Sequence, residues 1–262
     1  MIRNFLASFI FSAISLYLIK YGVHLLPNQG WFWCPSQASK LLYRNTQGDT
    51  VSTRYLLIFT MIPFLLTTLY GEWKRLRGAG KRDRHFVWEA LEAYSRFLVA
   101  YWLNILLMVI AKFLLPEPRP HFLQTCDPEP SLLTCTQGSE EYQAYHPGMC
   151  RLSEGGGVSF TGKDVLDSLR SFPSGHAQTG FFSAIVALHY IFSSPAFSKF
   201  ERLILSLFWT CNALLMSISR ITDNRHHWWD VLAGCLFGAL YSSLSIRFFL
   251  YRSRKYPSLK KD

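Results

Sequence analysis

Long apolar blocks separated by charged connectors limit what this chain can fold into more than any other feature. The blocks run approximately over 4–26, 54–71, 95–115, 175–194, 203–221 and 228–251. The first, "NFLASFIFSAISLYLIKYGVHLL", holds only Lys20 and His24 as ionisable groups, and the third contains "FLVAYWLNILLMVIAKFLL". A helix needs about 20 apolar residues to cross roughly 30 Å of hydrocarbon, where every backbone polar group must be satisfied internally. The blocks therefore predict an all-α, polytopic integral membrane bundle of about six transmembrane helices, a single domain over 1–262. The polar segment 116–172, between the third and fourth spans, becomes an extracytoplasmic loop domain. It explains why half the residues are hydrophobic while the mean hydropathy is only +0.12. A cleaved leader is the competing reading of the first block. Its apolar core is longer than a usual leader core and no small-residue cleavage site ends it, so it is read as a retained span.

The formal net charge of +10 would suit nucleic acid, but the placement of the charge argues against it. Arg3, the linker "GEWKRLRGAGKRDR", the Lys199/Arg202 pair and the tail "YRSRKYPSLKKD" all fall on one side of a six-span plan. That is the cytoplasmic side by the positive-inside rule, with both termini there. Nucleic acid is excluded as a partner, and the basic runs suit anionic lipid. The plan leaves homo-oligomers open. Cys34, Cys126, Cys135 and Cys150 lie in the outward segments, where an oxidising compartment favours two disulfides with three pairings open. The plasma membrane and the endoplasmic reticulum or Golgi both fit.

Four span ends, distant in sequence, carry cations and histidines at the outward surface. Lys112 ends the third span and leads through "KFLLPEPRP" to Arg119; "FPSGHAQTG" starts the fourth with Ser174, Gly175 and His176; Arg220 ends the fifth; His226 and Asp230 open the sixth. A helix start with Ser and Gly offers backbone N–H groups and a positive dipole end to an anion. Lys112, Arg119 and Arg220 add cations suited to phosphate oxygens. His226 and Asp230, four apart, share a helix face, so the carboxylate can fix the tautomer and leave Nε2 as nucleophile or base. His176 can protonate a departing oxygen. Three converging cations would repel a metal and already neutralise phosphate, so the expected site has no metal and no cofactor.

The strings "KFLLPEPRP", "PSGH" and "SRITDNRHHWWD" resemble the Lys-x6-Arg-Pro, Pro-Ser-Gly-His and Ser-Arg-x5-His-x3-Asp signature of the type 2 phosphatidic acid phosphatase superfamily. "RPHFLQTCDP" and "HHWWDVLAG" look like its eukaryotic lipid phosphate phosphatase branch. The resemblance implies a metal-independent phosphoric monoester hydrolase. His226 would form a phosphohistidine, Asp230 orient it and His176 serve as general acid. Lys112, Arg119, Ser174, Gly175 and Arg220 would cradle the phosphate. The implied partners are membrane lipid substrates: phosphatidic acid, lysophosphatidic acid, ceramide 1-phosphate and sphingosine 1-phosphate. Two alternatives use the same features: a membrane phosphatase for a sugar phosphate or polyprenyl diphosphate, and a non-catalytic lipid binder or transporter. Outside the signature, His227 and the tryptophans beside it are read as interfacial, His121 as structural or solvated, and Glu92/Arg96 as a helix-surface pair.

Overall fold

A computed structural model of the chain describes residues 1–21, 30–33, 43–78, 85–129, 142–145, 149–151 and 162–250. In chain order they form α1 (Ile2–Tyr21), strand β1 (Gly30–Trp33), α2 (Thr53–Gly78), α3 (His85–Leu114), α4 (Phe122–Cys126), β2 (Tyr142–Tyr145), α5 (Gly162–Ser168), α6 (Gly175–Ser193), α7 (Lys199–Thr222), α8 (Trp228–Ser245) and a π-helical turn Ile246–Leu250. Five helices, α1, α2, α3, α7 and α8 with its π-turn, are long and apolar enough to cross a membrane. Their outer faces leave Phe9, Leu66, Phe200, Leu236 and Leu240 more than half exposed, as lipid requires and water does not favour. The chain is an all-α, polytopic membrane bundle.

The sixth expected span is α6, and it differs in kind. It has 19 residues, enough for a crossing, but Gln178, Thr179, Gly180 and Ser183 dilute its apolar content. The dilution follows from position: α6 packs against α2, α3, α7 and α8 and buries most of its length. Small residues let neighbouring backbones approach, which is how helices associate where lipid removes the hydrophobic drive. Gln178 donates to the Asn104 side-chain oxygen of α3 at 2.9 Å, while the Asn104 amide nitrogen and the Gln178 side-chain oxygen have no partner among the described residues. Below it Phe64, Phe97, Tyr101, Phe182 and Trp209 form the aromatic core, with Phe64 and Phe97 stacked at 4.0 Å.

Several boundaries move. α2 runs past its expected end and α3 starts before its expected one; there Lys74 of α2 meets Glu201 of α7 at 2.6 Å and Arg75 lies 3.9 Å from Glu89 of α3. The Glu92–Arg96 pair forms as expected at 2.9 Å. Lys199 and Arg202 stand on the first turn of α7, which Ser198 and Glu201 cap reciprocally.

The segments between the long helices carry structure of their own. β1 and β2 pair antiparallel, Gly30 opposite Tyr145 and Trp33 opposite Tyr142, a small ribbon that the apolar-block pattern did not announce. Phe122, Cys126, Met149, Val165 and Leu169 form a separate small core, and Cys126 and Cys150 are disulfide-bonded. Cys34 and Cys135 lie outside the described residues, as do much of 116–172, the end of the basic linker and the tail.

Candidate active site

Two segments running side by side build the site between the helix ends. Residues 115–121, after α3, lie along 168–174, before α6: Glu117 and Arg170 form a parallel bridge, Arg119 N–H donates to the Ser168 carbonyl at 2.7 Å, and Ser171 N–H to that of Glu117 at 2.8 Å. This pairing turns the Lys-x6-Arg spacing into a cradle. Lys112 Nζ donates to the Arg170 and Ser171 carbonyls at 2.8 and 3.1 Å, which leaves one of its three N–H groups free of them.

The start of α6 meets the start of α8. Ser174 N–H donates to the Asp230 carbonyl at 3.0 Å, so that N–H is not open to an anion. Its hydroxyl, fully buried, has no hydrogen-bond partner among the described residues. His176 Nε2 is likewise buried and unpartnered.

His226 stands in the turn between α7 and α8, its N–H donating to the Arg220 carbonyl at 3.1 Å. His226 Nδ1 is 3.6 Å from Asp230 Oδ2, beyond hydrogen-bond length. Ser171 fills the gap: its Oγ is 3.4 Å from His226 Nδ1 and donates a short hydrogen bond to Asp230 Oδ2. Asp230 Oδ2 also accepts His227 N–H at 2.9 Å, which caps α8. Burial, reinforced by Lys112 and Arg119, holds the His226 imidazole well below its usual pKa. The ring is therefore neutral near pH 7, the form a nucleophile needs.

The cations are not all aimed at one point. Arg119 makes a two-pronged contact with Asp167, 2.9 and 3.1 Å. Desolvation works against the Asp167 carboxylate, but Arg119 and Lys112 outweigh it and keep its pKa below the ordinary value. Arg220 is buried, with Asp49 at 3.0 Å, the Val51 carbonyl at 2.7 Å and Asp223 at 2.9 Å taking its terminal nitrogens. A cavity of about 230 Å³ is lined by Lys112, Arg119, Asp167, Arg170, Gly175, His176 and His226, whereas Ser174, Arg220 and Asp230 do not line it.

Ser171 is the site residue that the sequence did not single out; nothing in "LRSFPSGH" marks it before the two segments pair. His227 and Trp229 are more than interfacial. Their rings stack at 4.4 Å, His227 Nε2 lies 3.2 Å from the Pro118 carbonyl, and Trp229 Nε1 donates to Glu117 at 2.7 Å. Trp228 is exposed, as an interfacial residue would be. His121 is structural: its Nδ1 lies 3.1 Å from the Asn224 carbonyl, and burial with Arg119 lowers its pKa to about 4.

The PAP2 superfamily model matches residues 93–254, which include every one of these side chains except Asp49 and Val51. Among curated proteins, Phospholipid phosphatase 2 of Mus musculus is 25% identical over 242 residues, 90% of this chain and 82% of that protein. Phospholipid phosphatase 2 of Homo sapiens is 26% identical over 227 residues, 84% of this chain and 73% of that one. The Bos taurus protein of the same name reaches 33% over 143 residues, 53% of this chain but only 44% of its own length. No solved structure matches. With the family match covering more than half of the chain and falling on the paired cradle and the helix ends, the chain belongs to the PAP2 superfamily.

Proposed function

We propose that the chain is a lipid phosphate phosphatase that removes phosphate from phosphatidic acid and related lipid phosphomonoesters through a phosphohistidine. One observation carries the choice of a lipid. The cavity that holds Lys112, Arg119, His176 and His226 is also lined by Leu16 and Ile19 of α1, Leu56 of α2, and Trp102, Ile105 and Val109 of α3. A polar end beside an apolar wall suits a head group whose chains stay in the bilayer. The names of the relatives support the same class.

In this reading His226 Nε2 attacks phosphorus, the P–O bond to the lipid breaks, and His176 gives its proton to the leaving oxygen. Water then attacks the phosphohistidine while His176 takes up a proton, so inorganic phosphate leaves and His226 returns to its neutral form. Ser171, itself held by Asp230, holds Nδ1; Lys112 and Arg119 balance the phosphoryl charge. A site on the extracellular or lumenal face belongs to the same reading.

Phosphate release from phosphatidic acid by the purified protein in excess EDTA, beside His226→Ala, tests it. Release that survives chelation and is lost in the variant supports the reading. No release from phosphatidic acid, with turnover of a sugar phosphate or polyprenyl diphosphate, would replace the lipid. Activity unaffected by His226→Ala would end the histidine mechanism.

A further inference from the structure

Glu117 has no task in this chemistry, yet it is bound into the site through both its main chain and its side chain. Its carbonyl accepts the Ser171 N–H at 2.8 Å, and its Oε1 accepts the Trp229 indole N–H at 2.7 Å. The Ser171 that donates its N–H to Glu117 donates its hydroxyl to Asp230, and the Trp229 that donates to the Glu117 carboxyl directly precedes Asp230 on α8, so the two carboxyls share both neighbours. Asp230 itself is fully buried and asymmetric. Oδ2 takes the Ser171 hydroxyl and the His227 N–H, whereas Oδ1 has no donor from any other described residue. A buried carboxylate oxygen without a donor is costly, and two ionised carboxylates cannot both occupy a low-dielectric pocket.

We propose that Glu117 is a positioning residue whose carboxylic acid donates its O–H to Asp230 Oδ1 while its other oxygen accepts from Trp229. The pair shares one proton, and Asp230 is held with Oδ2 toward Ser171 and His226. The inference rests on His226 being the nucleophile.

The groups facing Glu117 are few. Asp230 approaches from α8 together with Trp229, on whose ring His227 stacks; Lys112 approaches from α3; Arg170 pairs with the Glu117 backbone and carries its guanidinium over Phe113, 4.8 Å from the ring centre. Burial first, then Asp230, outweigh Lys112 and raise the Glu117 carboxyl to about 7. As pH rises through that value the shared proton is lost, and a second negative charge stands against Asp230.

Glu117→Gln separates this role from simple packing, because its amide N–H can donate to Asp230 at every pH while its oxygen still accepts from Trp229. Glu117→Leu removes the donor at every pH. His176 must carry its proton in wild type and variant alike, so both lose activity in alkali; we expect wild-type kcat to fall by about pH 8.5 roughly tenfold further from its maximum than that of Glu117→Gln. Glu117→Leu should lose roughly tenfold in kcat at all pH values with little change in KM. An alkaline limb in Glu117→Gln that matches wild type overturns the proposal.

A second readout needs no substrate. The infrared difference spectrum of wild type minus Glu117→Gln, taken near pH 6 on protein shown to be monodisperse, should contain a protonated-carboxyl C=O band; its absence overturns the shared proton. If His226→Ala is inactive and that band is missing, only the carboxyl pair fails. If His226→Ala is active, the proposed function fails first.

Discussion

Gly234 of α8 lies so close to Ser174 at the start of α6 that a Cβ on it would stand 2.5 Å from the Ser174 carbonyl oxygen. Gly238, one turn further, meets the Gln178 backbone in the same way, so two glycines four residues apart let α8 press against α6. That approach brings Asp230 to the Ser174 N–H and places both histidine-bearing helix starts side by side. Because the obstructing atoms are backbone, they cannot turn aside. Gly234→Ala should cost about 1–3 kcal/mol, as overpacking does elsewhere, and should misplace His176 relative to His226. Thermal unfolding in detergent together with phosphate release checks this; an unchanged melting temperature with full activity would refute it.

Ser171 stands between Asp230 and His226, where Asp230 alone is too distant for a hydrogen bond. Ser171→Ala leaves His226 Nδ1 without that contact. A hydrogen bond to a charged group is worth about 1.5–3 kcal/mol, so kcat should drop roughly ten- to hundredfold with KM little changed. A steady-state split of kcat from KM decides; a rise in KM alone would show that Ser171 serves binding instead.

Asp167 occupies the guanidinium fork of Arg119 that a phosphate would otherwise take. In Asp167→Asn the fork is released from a competing charge. Inhibition by inorganic phosphate should become tighter, by about tenfold, the equivalent of about 1.4 kcal/mol. Weaker inhibition would instead mean that Asp167 holds Arg119 in position.

Folding stability should decline in mild acid. His121 titrates at about 6.5 in the unfolded chain and at about 4 in the folded protein, so between these values the unfolded state binds more protons. Its contribution is fully present above pH 6.5 and is lost as pH falls toward 4; His226, also lowered, acts in the same direction. For His121 the loss is about 3 kcal/mol at most. His121→Asn keeps an N–H for the Asn224 carbonyl without titrating, so its melting temperature should depend less steeply on pH over this window. Parallel profiles would contradict the assignment.

The disulfide Cys126–Cys150 closes the separate small core that carries Leu169, two residues before Ser171. Cys126→Ser with Cys150→Ser should lower stability by about 3 kcal/mol, from loop entropy, and reduce activity through the 168–174 segment. Activity measured beside circular dichroism melting separates the two effects.

The apolar blocks alone determined the membrane bundle, because lipid admits few solutions for a buried backbone and block length sets the crossing. They also showed the convergence of Lys112, Arg119, His176 and His226, because antiparallel helices return alternate ends to one face. Helix length beyond the membrane was not legible. The extended end of α2 carries the ion pair Lys74–Glu201, made with a helix distant in sequence. The state of the cations was not legible either: Asp49 neutralises Arg220 across 171 positions of chain, and no spacing rule reaches that far. Tertiary structure alone decided that Ser171 bridges Asp230 to His226 and that Glu117 meets Trp229. Both follow from the pairing of 115–121 with 168–174, and a hydrogen bond depends on tenths of an ångström, whereas a motif specifies only which residues lie within a turn of one another.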